Sequence, residues 1–288
     1  MLSPLLWLLV VNEILQHFQE RRTKVVAYAD DIVILITGKF LQTISDLMET
    51  ALGNISTWAG KNGLGVNPSK TEIVLFTRRT KIPEFRRPRL NGITLSLSSE
   101  AKYLGIILDS KLSWKRNIEE RTRKGLAAFG ENWGLSPYIT HGLYKTVVRP
   151  VTTYGALVWW KALEKETNRR TMYKVQRLAS LGVTGAARSA PQEGLNMILH
   201  LIPLQIHTKG LAAKAAVRLR EAGSWHETRS GHATILEDIE RSCLKCSLVS
   251  LKVSTDRPNR PAESCLKCSP VSLKVSTDRP NRPAEIKK

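Results

Sequence analysis

Two adjacent aspartates, Asp30 and Asp31, lie between two apolar runs, residues 25–29 and 32–36. This pattern predicts a β-hairpin with both carboxylates at its turn. Carboxylate oxygens suit Mg²⁺, with Mn²⁺ as a substitute, and Mg²⁺ keeps several waters and shares its remaining sites with substrate phosphates. The alternative is that both residues only form the turn, because aspartate side chains hydrogen-bond to the backbone there.

A helix and further strands should follow the hairpin. Apolar residues recur every three or four positions from Leu41 to Ala59, which is typical of one face of a helix. Strands are predicted at residues 73–76 and 103–108, with a turn at Asn91-Gly92 between them. Strands combined with a helix predict an α+β domain with an antiparallel sheet over residues 1–110.

The middle of the chain is basic and helical in pattern. The 288 residues carry a formal charge of +19, and residues 111–223 hold 19 basic against 7 acidic side chains. Such an excess on a folded protein implies an acidic partner, either nucleic acid or an anionic membrane surface. Helices are predicted at residues 114–129, 139–161, 166–181 and 191–220.

The N-terminal apolar run, residues 5–11, argues against a membrane partner. It is too short to span a bilayer, which needs about 20 apolar residues. It also lacks a basic start and a small-residue cleavage site, so we do not expect secretion. All four cysteines lie in the last 46 residues, which favours a reducing, intracellular compartment.

Residues 224–288 form a tail rich in Ser, Thr, Pro and Lys, with 22-residue repeats that start at Ser242 and Ser264. This composition predicts a disordered, low-complexity tail. Each repeat holds a Cys-x-x-Cys pair, and the 18 residues between the pairs fall within the range of four-cysteine zinc sites. Duplication fixes that spacing without any selection for metal, so zinc is the less favoured interpretation of Cys243, Cys246, Cys265 and Cys268.

Five segments, in order, resemble one enzyme family. Residues 28–31 (YADD) resemble motif C of reverse transcriptases, and residues 2–7 (LSPLLW) resemble the second half of motif B. Residues 63–72 (GLGVNPSKTE) resemble motif D, and residues 103–109 (YLGIILD) resemble motif E, the primer-gripping hairpin. Landmarks between residues 143 and 185 resemble the family's thumb and connecting region. The order is that of jockey-type non-LTR, or LINE-like, retrotransposons, so the chain resembles an N-terminally truncated RNA-directed DNA polymerase.

The resemblance implies transfer of a nucleotide from a dNTP to a primer 3′-hydroxyl on an RNA or DNA template, with two Mg²⁺ ions about 4 Å apart. Asp30 would be a metal ligand, with Asp31 beside it, and Lys70 would stabilise charge near the leaving phosphates. Lys70 is otherwise a solvated lysine at a strand start. The remaining implied roles are substrate contacts for Ser3, Pro4 and Tyr28, and the primer grip for Tyr103, Leu104 and Gly105. Ser3 and Pro4 also fit ordinary helix capping.

The basic middle region would grip a primer–template duplex by its phosphates, with little sequence preference. Four cations recur on its first predicted helix: Arg116, Arg121, Arg123 and Lys124. The alternative is a solvated helix face, because Glu119 and Glu120 offer local pairing.

The sequence departs from the family in what lies upstream of motif B. The family has there a strand with the pattern aromatic-x-x-Asp, which supplies another metal ligand. This strand and the fingers are absent from this sequence. We therefore expect a partial palm in residues 1–110, a thumb and connecting region in residues 111–223, and a chain that is inactive alone. The alternative is a non-enzymatic, nucleic-acid-binding remnant of a retrotransposon, and a third hypothesis is zinc-dependent DNA binding. The nucleus is the expected site of action, and the oligomeric state stays open.

Overall fold

The computed structural model describes residues 3–18, 23–29, 31–129, 135–226 and 231–241, without the side chains of residues 3 and 4. Asp30 and the two cysteine repeats lie outside these residues. The chain divides into two compact units, residues 1–212 and 213–288. Helices and strands are mixed, which agrees with the predicted α+β class. The functional division at residues 110 and 223 stays a prediction.

The first unit opens with a hairpin and two helices on its inner face. The elements are α1 (Ser3–His17), β1 (Thr23–Tyr28), β2 (Asp31–Ile36) and α2 (Leu41–Lys61). The strands are antiparallel, as predicted. Alternate strand residues such as Val25 and Ile34 pack against Val11 of α1 and Ile55 and Trp58 of α2. Strand alternation and helical periodicity therefore build one shared core.

The strands that follow α2 are short, which corrects the predicted single antiparallel sheet. They are β3 (Ile73–Val74), β4 (Arg89–Leu90), β5 (Ile93–Thr94), β6 (Leu97–Ser98), β7 (Glu100–Tyr103) and β8 (Ile106–Asp109). In the described part of the chain every sheet has two strands, and β3 pairs with β6 in parallel. Pro83 and Pro88 lack the amide hydrogen that a ladder needs, so the segment between β3 and β4 cannot extend either strand.

The predicted strand at residues 103–108 is interrupted by a hairpin turn at residues 104 and 105, and its second half belongs to β8. β7 and β8 are antiparallel, and Tyr103 is paired with Ile106. Between them Leu104 and Gly105 have φ angles of 44° and 78°. Two consecutive residues with positive φ form the type of turn whose twist matches that of the strands it joins.

The helical part of the first unit contains α3 (Lys115–Ala127), α4 (Pro137–Leu143), a π-helical stretch (Tyr144–Val148), α5 (Arg149–Thr153), α6 (Ala156–Trp159), α7 (Glu166–Thr184), α8 (Gln192–Ile198) and α9 (Leu204–Glu221). Their core is formed by fully buried side chains that include Trp159, Tyr144 and Val175. α9 continues past residue 212 into the second unit, where Gly231–Thr234 form a 3₁₀ turn and residues 235–241 are helical.

The predicted helix at residues 139–161 is broken at Gly155, which has a φ of 66°. A Cβ atom at this position would lie 2.7 Å from Ile106 Cδ1 of β8, so only glycine fits. The predicted helix at residues 191–220 is also broken, between Ile198 and Leu204. Pro203 cannot donate the hydrogen bond that would continue the helix, and His200 has a φ of 49°. Among the described helices, none has the length and apolar character needed to cross a membrane.

α3 and α5 approach closely at Gly125, and this generates a stability prediction. A Cβ atom at Gly125 would lie 2.3 Å from Thr152 Oγ1, whose hydroxyl is buried and donates to the Val148 carbonyl at 2.7 Å. We expect Gly125→Ala to lower the free energy of unfolding by about 1–3 kcal/mol, because the helices must separate or the hydroxyl must lose its bond. Urea denaturation followed by circular dichroism measures this change.

Gly142→Ala is the matched control, since Gly142 is helical and nothing lies within 4 Å of the position that an alanine methyl group would occupy. There the alanine should stabilise the helix by up to about 1 kcal/mol. Equal unfolding free energies for the two variants would contradict close packing at Gly125.

Candidate active site

The register of the first hairpin places Asp31 on its open face. Tyr28 lies directly opposite Asp31, and cross-strand partners face the same side of a sheet. The side chain of Tyr28 is 63% exposed, as expected for the face that points away from α1 and α2. Asp31 is also exposed. Asp30, the other proposed metal ligand, lies outside the described residues.

The turn before Asp31 is held by α1. Ala29 has a φ of 52°, a conformation that non-glycine residues seldom adopt. Its carbonyl oxygen accepts a hydrogen bond of 2.6 Å from the indole Nε1 of Trp7. Trp7 is a positioning residue that sequence reasoning missed, although an indole donor in a short apolar helix needs a partner.

The β7–β8 hairpin carries Tyr103, on which the Asp31 carboxylate acts electrostatically. Partial burial raises the pKa of the Tyr103 hydroxyl, and the negative charge of Asp31 raises it further. Among the residues at the YADD turn, Asp31 thus acts electrostatically on Tyr103 of the predicted primer grip. Leu104 and Gly105 form the turn beyond Tyr103, with their carbonyl groups directed at the helical region.

Arg121 and Tyr154 anchor that turn. The Arg121 guanidinium donates to the Gly105 carbonyl, and the Tyr154 hydroxyl donates to the Leu104 carbonyl at 3.1 Å. Arg121 Cζ also lies 4.5 Å from the centroid of the Tyr154 ring, which is a cation–π contact. Burial lowers the pKa of Arg121. The sequence placed Arg121 on an exposed phosphate-binding face, and the structure corrects this because the side chain is only 6% exposed.

Two polar residues fix β8 to the start of α3. Asn117 Oδ1 accepts a hydrogen bond from the Ile107 amide at 3.2 Å. Asp109 accepts bonds from the amides of Ser113 and Trp114 at 2.8 and 2.9 Å. Burial alone would raise the pKa of Asp109, but these hydrogen bonds outweigh it and hold the pKa below its usual value. These bonds hold the loop before α3, and no sequence pattern indicated them.

The other predicted site residues are Lys70, Ser3 and Pro4. Lys70 is exposed at the end of a 3₁₀ turn (Pro68–Lys70) that Asn67 caps through the Ser69 amide at 2.9 Å. No hydrogen bond or ion pair joins Lys70 to Asp31, so its role in catalysis stays a prediction. Ser3 begins α1 and Pro4 follows it, which agrees with the predicted helix start.

The exposed cations of α3 are largely paired with acidic neighbours. Arg123 and Lys124 both reach Glu120, at 2.8 and 3.7 Å, and Arg116 reaches Glu100 at 3.5 Å. The hydrogen bond from Arg123 holds the pKa of Glu120 at about 2. This pairing favours the solvated-face alternative for these three residues when no ligand is present.

The metal-binding predictions rest mainly on residues outside the described ranges. Cys243, Cys246, Cys265 and Cys268 are among them, so the structure does not bear on a zinc site there. Within the described ranges, no group of three or more His, Cys, Asp or Glu side chains is arranged to hold a metal ion. Of the two aspartates proposed as metal ligands, the structure therefore describes only Asp31.

Comparison with known proteins identifies the class of the N-terminal region. Residues 1–108 match the family model described as reverse transcriptase (RNA-dependent DNA polymerase). The motifs, the hairpin and the match therefore agree on one family for this region. No solved structure matches the chain significantly.

The curated relatives come from insect retrotransposons. The chain is 22% identical over 260 residues to a Retrovirus-related Pol polyprotein from type-1 retrotransposable element R1 of Nasonia vitripennis, covering 86% of this chain and 75% of the relative. It is 30% identical over 156 residues to a probable RNA-directed DNA polymerase from transposon BS of Drosophila melanogaster, which is 52% of this chain and 17% of the relative. It is also 28% identical over 171 residues to the RNA-directed DNA polymerase from mobile element jockey of Drosophila funebris, covering 56% of this chain and 18% of the relative.

These matches confirm the resemblance drawn from the motifs. The chain is similar to the RNA-directed DNA polymerases of non-LTR retrotransposons, and residues 1–108 match the reverse transcriptase family model. It spans 75% of the Nasonia relative but about a fifth of the transposon BS and jockey polymerases.

The anchoring of the Leu104-Gly105 turn gives a direct prediction. Tyr154→Phe removes the hydroxyl that bonds to the Leu104 carbonyl and keeps the ring that stacks on Arg121. A hydrogen bond of this kind contributes about 0.5–1.5 kcal/mol, so amide hydrogen exchange in residues 100–109 should become roughly 3–10 times faster. Mass spectrometry of the exchanged peptides measures the change.

The control is Tyr173→Phe in α7, whose hydroxyl makes no hydrogen bond with the described residues. Exchange in residues 100–109 should stay at the wild-type rate in this variant. If Tyr154→Phe matches the control, the hydroxyl does not anchor the turn.

Proposed function

We propose that this chain supplies part of the active site and the primer-binding region of an RNA-directed DNA polymerase. The reaction is transfer of a nucleotide from a dNTP to a primer 3′-hydroxyl on an RNA template. The observation that carries the proposal is the open-faced Tyr28–Asp31 pair in a reverse transcriptase domain, beside the hairpin that holds Tyr103. The natural place of such a reaction is the nucleus, where the target DNA lies.

The residues at the turn fit a divalent cation in part. Asp31 offers an exposed carboxylate, Asp30 precedes it directly in the sequence, and α1 holds the turn through Trp7. Mg²⁺ held by Asp30 and Asp31 would activate the primer hydroxyl and neutralise charge on the leaving pyrophosphate. The open face leaves room for substrate phosphates to complete the coordination.

The other residues bind and orient the strands. Tyr28 offers an exposed ring beside Asp31 against which a primer end can pack. The Tyr103–Gly105 turn would hold the primer strand, and its position depends on Arg121 and Tyr154. Arg116, Arg123 and Lys124 would exchange their glutamate partners for duplex phosphates, which makes binding dependent on salt.

A complete two-metal site needs a further carboxylate, and we propose that it comes from polypeptide outside these 288 residues. The chain alone should then bind a primer–template duplex and extend it little or not at all. The alternative, a non-enzymatic nucleic-acid-binding remnant, is favoured by the absence of a three-ligand cluster among the described residues. The two hypotheses differ in whether the missing segment can restore synthesis.

Primer extension on an RNA template separates these hypotheses. The chain would be assayed alone and as a fusion behind the corresponding upstream segment of the jockey polymerase. We expect extension only from the fusion, and a loss of about a hundredfold or more when Asp30→Asn or Asp31→Asn removes a ligand. The control is Glu193→Gln, because Glu193 is an exposed carboxylate on α8 that makes no ion pair with the described residues.

Two outcomes would contradict the proposed site. Extension that survives both aspartate substitutions would exclude Asp30 and Asp31 as metal ligands. A fusion that folds and binds the duplex with wild-type affinity but never extends it would favour the non-enzymatic remnant.

A further inference from the structure

A groove of about 450 Å³ lies between the start of α2 and the loop after β3. Lys39 and Phe40 line one side, and Phe76, Arg79 and Ile82 line the other. The groove adjoins the C-terminal end of β2, whereas Asp31 lies at its N-terminal end. The six residues of β2 place these two ends about 17 Å apart. The groove is therefore distinct from the proposed metal site.

Two aromatic rings in this groove are open to solvent. Phe40 is 72% exposed and Phe76 is 43% exposed. The other phenylalanines, Phe18, Phe85 and Phe129, are buried or half-buried. Exposure of two large apolar rings in one concave place is unfavourable in water unless a ligand covers them.

The cations of the groove and of the loop after β3 have no acidic partners among the described residues. No carboxylate of the described residues lies within ion-pair distance of Lys39, Arg78, Arg79 or Lys81. Residues 78–89 contain six basic side chains and one acidic one, Glu84, which does not line the groove. This differs from α3, where glutamates neutralise the exposed cations.

The loop that carries these cations is fixed at both ends. At one end, the Thr77 amide donates to the Ser110 carbonyl at 3.2 Å. At the other, Arg86 pairs with Asp46 and Glu49, each at 3.0 Å, and its carbonyl accepts from Ser45 Oγ at 2.5 Å. Because the loop is held against α2, Arg79 and Phe76 are preorganised opposite Phe40 and Lys39.

We propose that this groove binds single-stranded nucleic acid. Bases stack on Phe40 and Phe76, and the phosphates pair with Lys39 and Arg79, the two cations that line the groove. Exposed aromatic rings inside a positively charged groove are the combination that binds single strands with little sequence preference. An acidic peptide would use the cations and leave the rings uncovered, so a strand with bases accounts for both features. This proposal does not require that the chain catalyse nucleotidyl transfer.

Fluorescence anisotropy with a labelled oligouridylate tests the stacking contacts. The full chain is used, in EDTA, so that metal-dependent chemistry is excluded. Each of Phe40→Ala and Phe76→Ala should weaken binding about tenfold, since one stacked base is lost in each case. Tyr138→Ala is the control, because Tyr138 is 88% exposed on α4, outside the groove, and its loss should leave the affinity unchanged.

The salt dependence of the same binding tests the phosphate contacts. Lys39→Ala combined with Arg79→Ala should make the slope of log affinity against log salt shallower by about 1.4, since each lost single-strand contact removes about 0.7. Lys61→Ala, at the other end of α2, removes an equivalent exposed charge and should leave the slope close to that of the wild type.

Three results would overturn the proposal. In the first, an oligonucleotide without bases binds as tightly as oligouridylate. In the second, polyglutamate competes as well as oligouridylate at equal charge. In the third, the affinities of the Phe40→Ala and Phe76→Ala variants equal that of Tyr138→Ala. Groove-dependent strand binding combined with a fusion that folds but never extends a primer would remove the proposed catalytic function alone, and extension by the fusion without groove-dependent binding would remove this proposal alone.

Discussion

The anchoring of the Leu104-Gly105 turn by Arg121 is the interaction on which the arrangement of the site depends. A guanidinium that is almost fully buried must be paired, and here its partners are a backbone carbonyl and the face of Tyr154. Tyr154 is in turn positioned by the helix break at Gly155, where the indole Nε1 of Trp159 donates to its carbonyl at 3.0 Å. The buried helical core thus sets the hairpin that carries Tyr103, and through it the surroundings of Asp31.

The positive charge of the chain is not spread evenly over its surface. On α3 the exposed cations are bound to glutamates, so a phosphate ligand would have to displace existing ion pairs that contribute little stability in water. The cations of residues 78–89, apart from Arg86, are without such partners among the described residues. Net charge therefore indicates an acidic partner, while the pairing of each cation indicates where that partner binds most readily.

The local elements of the fold were predictable from sequence, and the tertiary ones were not. The first hairpin and α2 follow from apolar spacing, because each buries one face against a near neighbour in sequence. The breaks at Gly155 and Pro203 and the burial of Arg121 arise from contacts with distant residues, which periodicity does not encode. For the site, the motifs indicated Tyr28, Asp31 and Tyr103. Trp7 and Tyr154 lie in segments that resemble the family, but their positioning roles, and that of Asn117, emerged only from their bonds to backbone atoms.

The central claim is that the Asp30-Asp31 turn holds a divalent cation beside the Tyr103 hairpin. Affinity cleavage tests it most directly: Fe²⁺ replaces Mg²⁺ in the complex of the chain with primer–template and dNTP, and ascorbate with peroxide then generates radicals that cut the backbone near the ion. The account predicts cuts near residues 28–33 and 102–105, which excess Mg²⁺ and Asp31→Asn both suppress. Cleavage confined to other segments, unaffected by Mg²⁺, would contradict it.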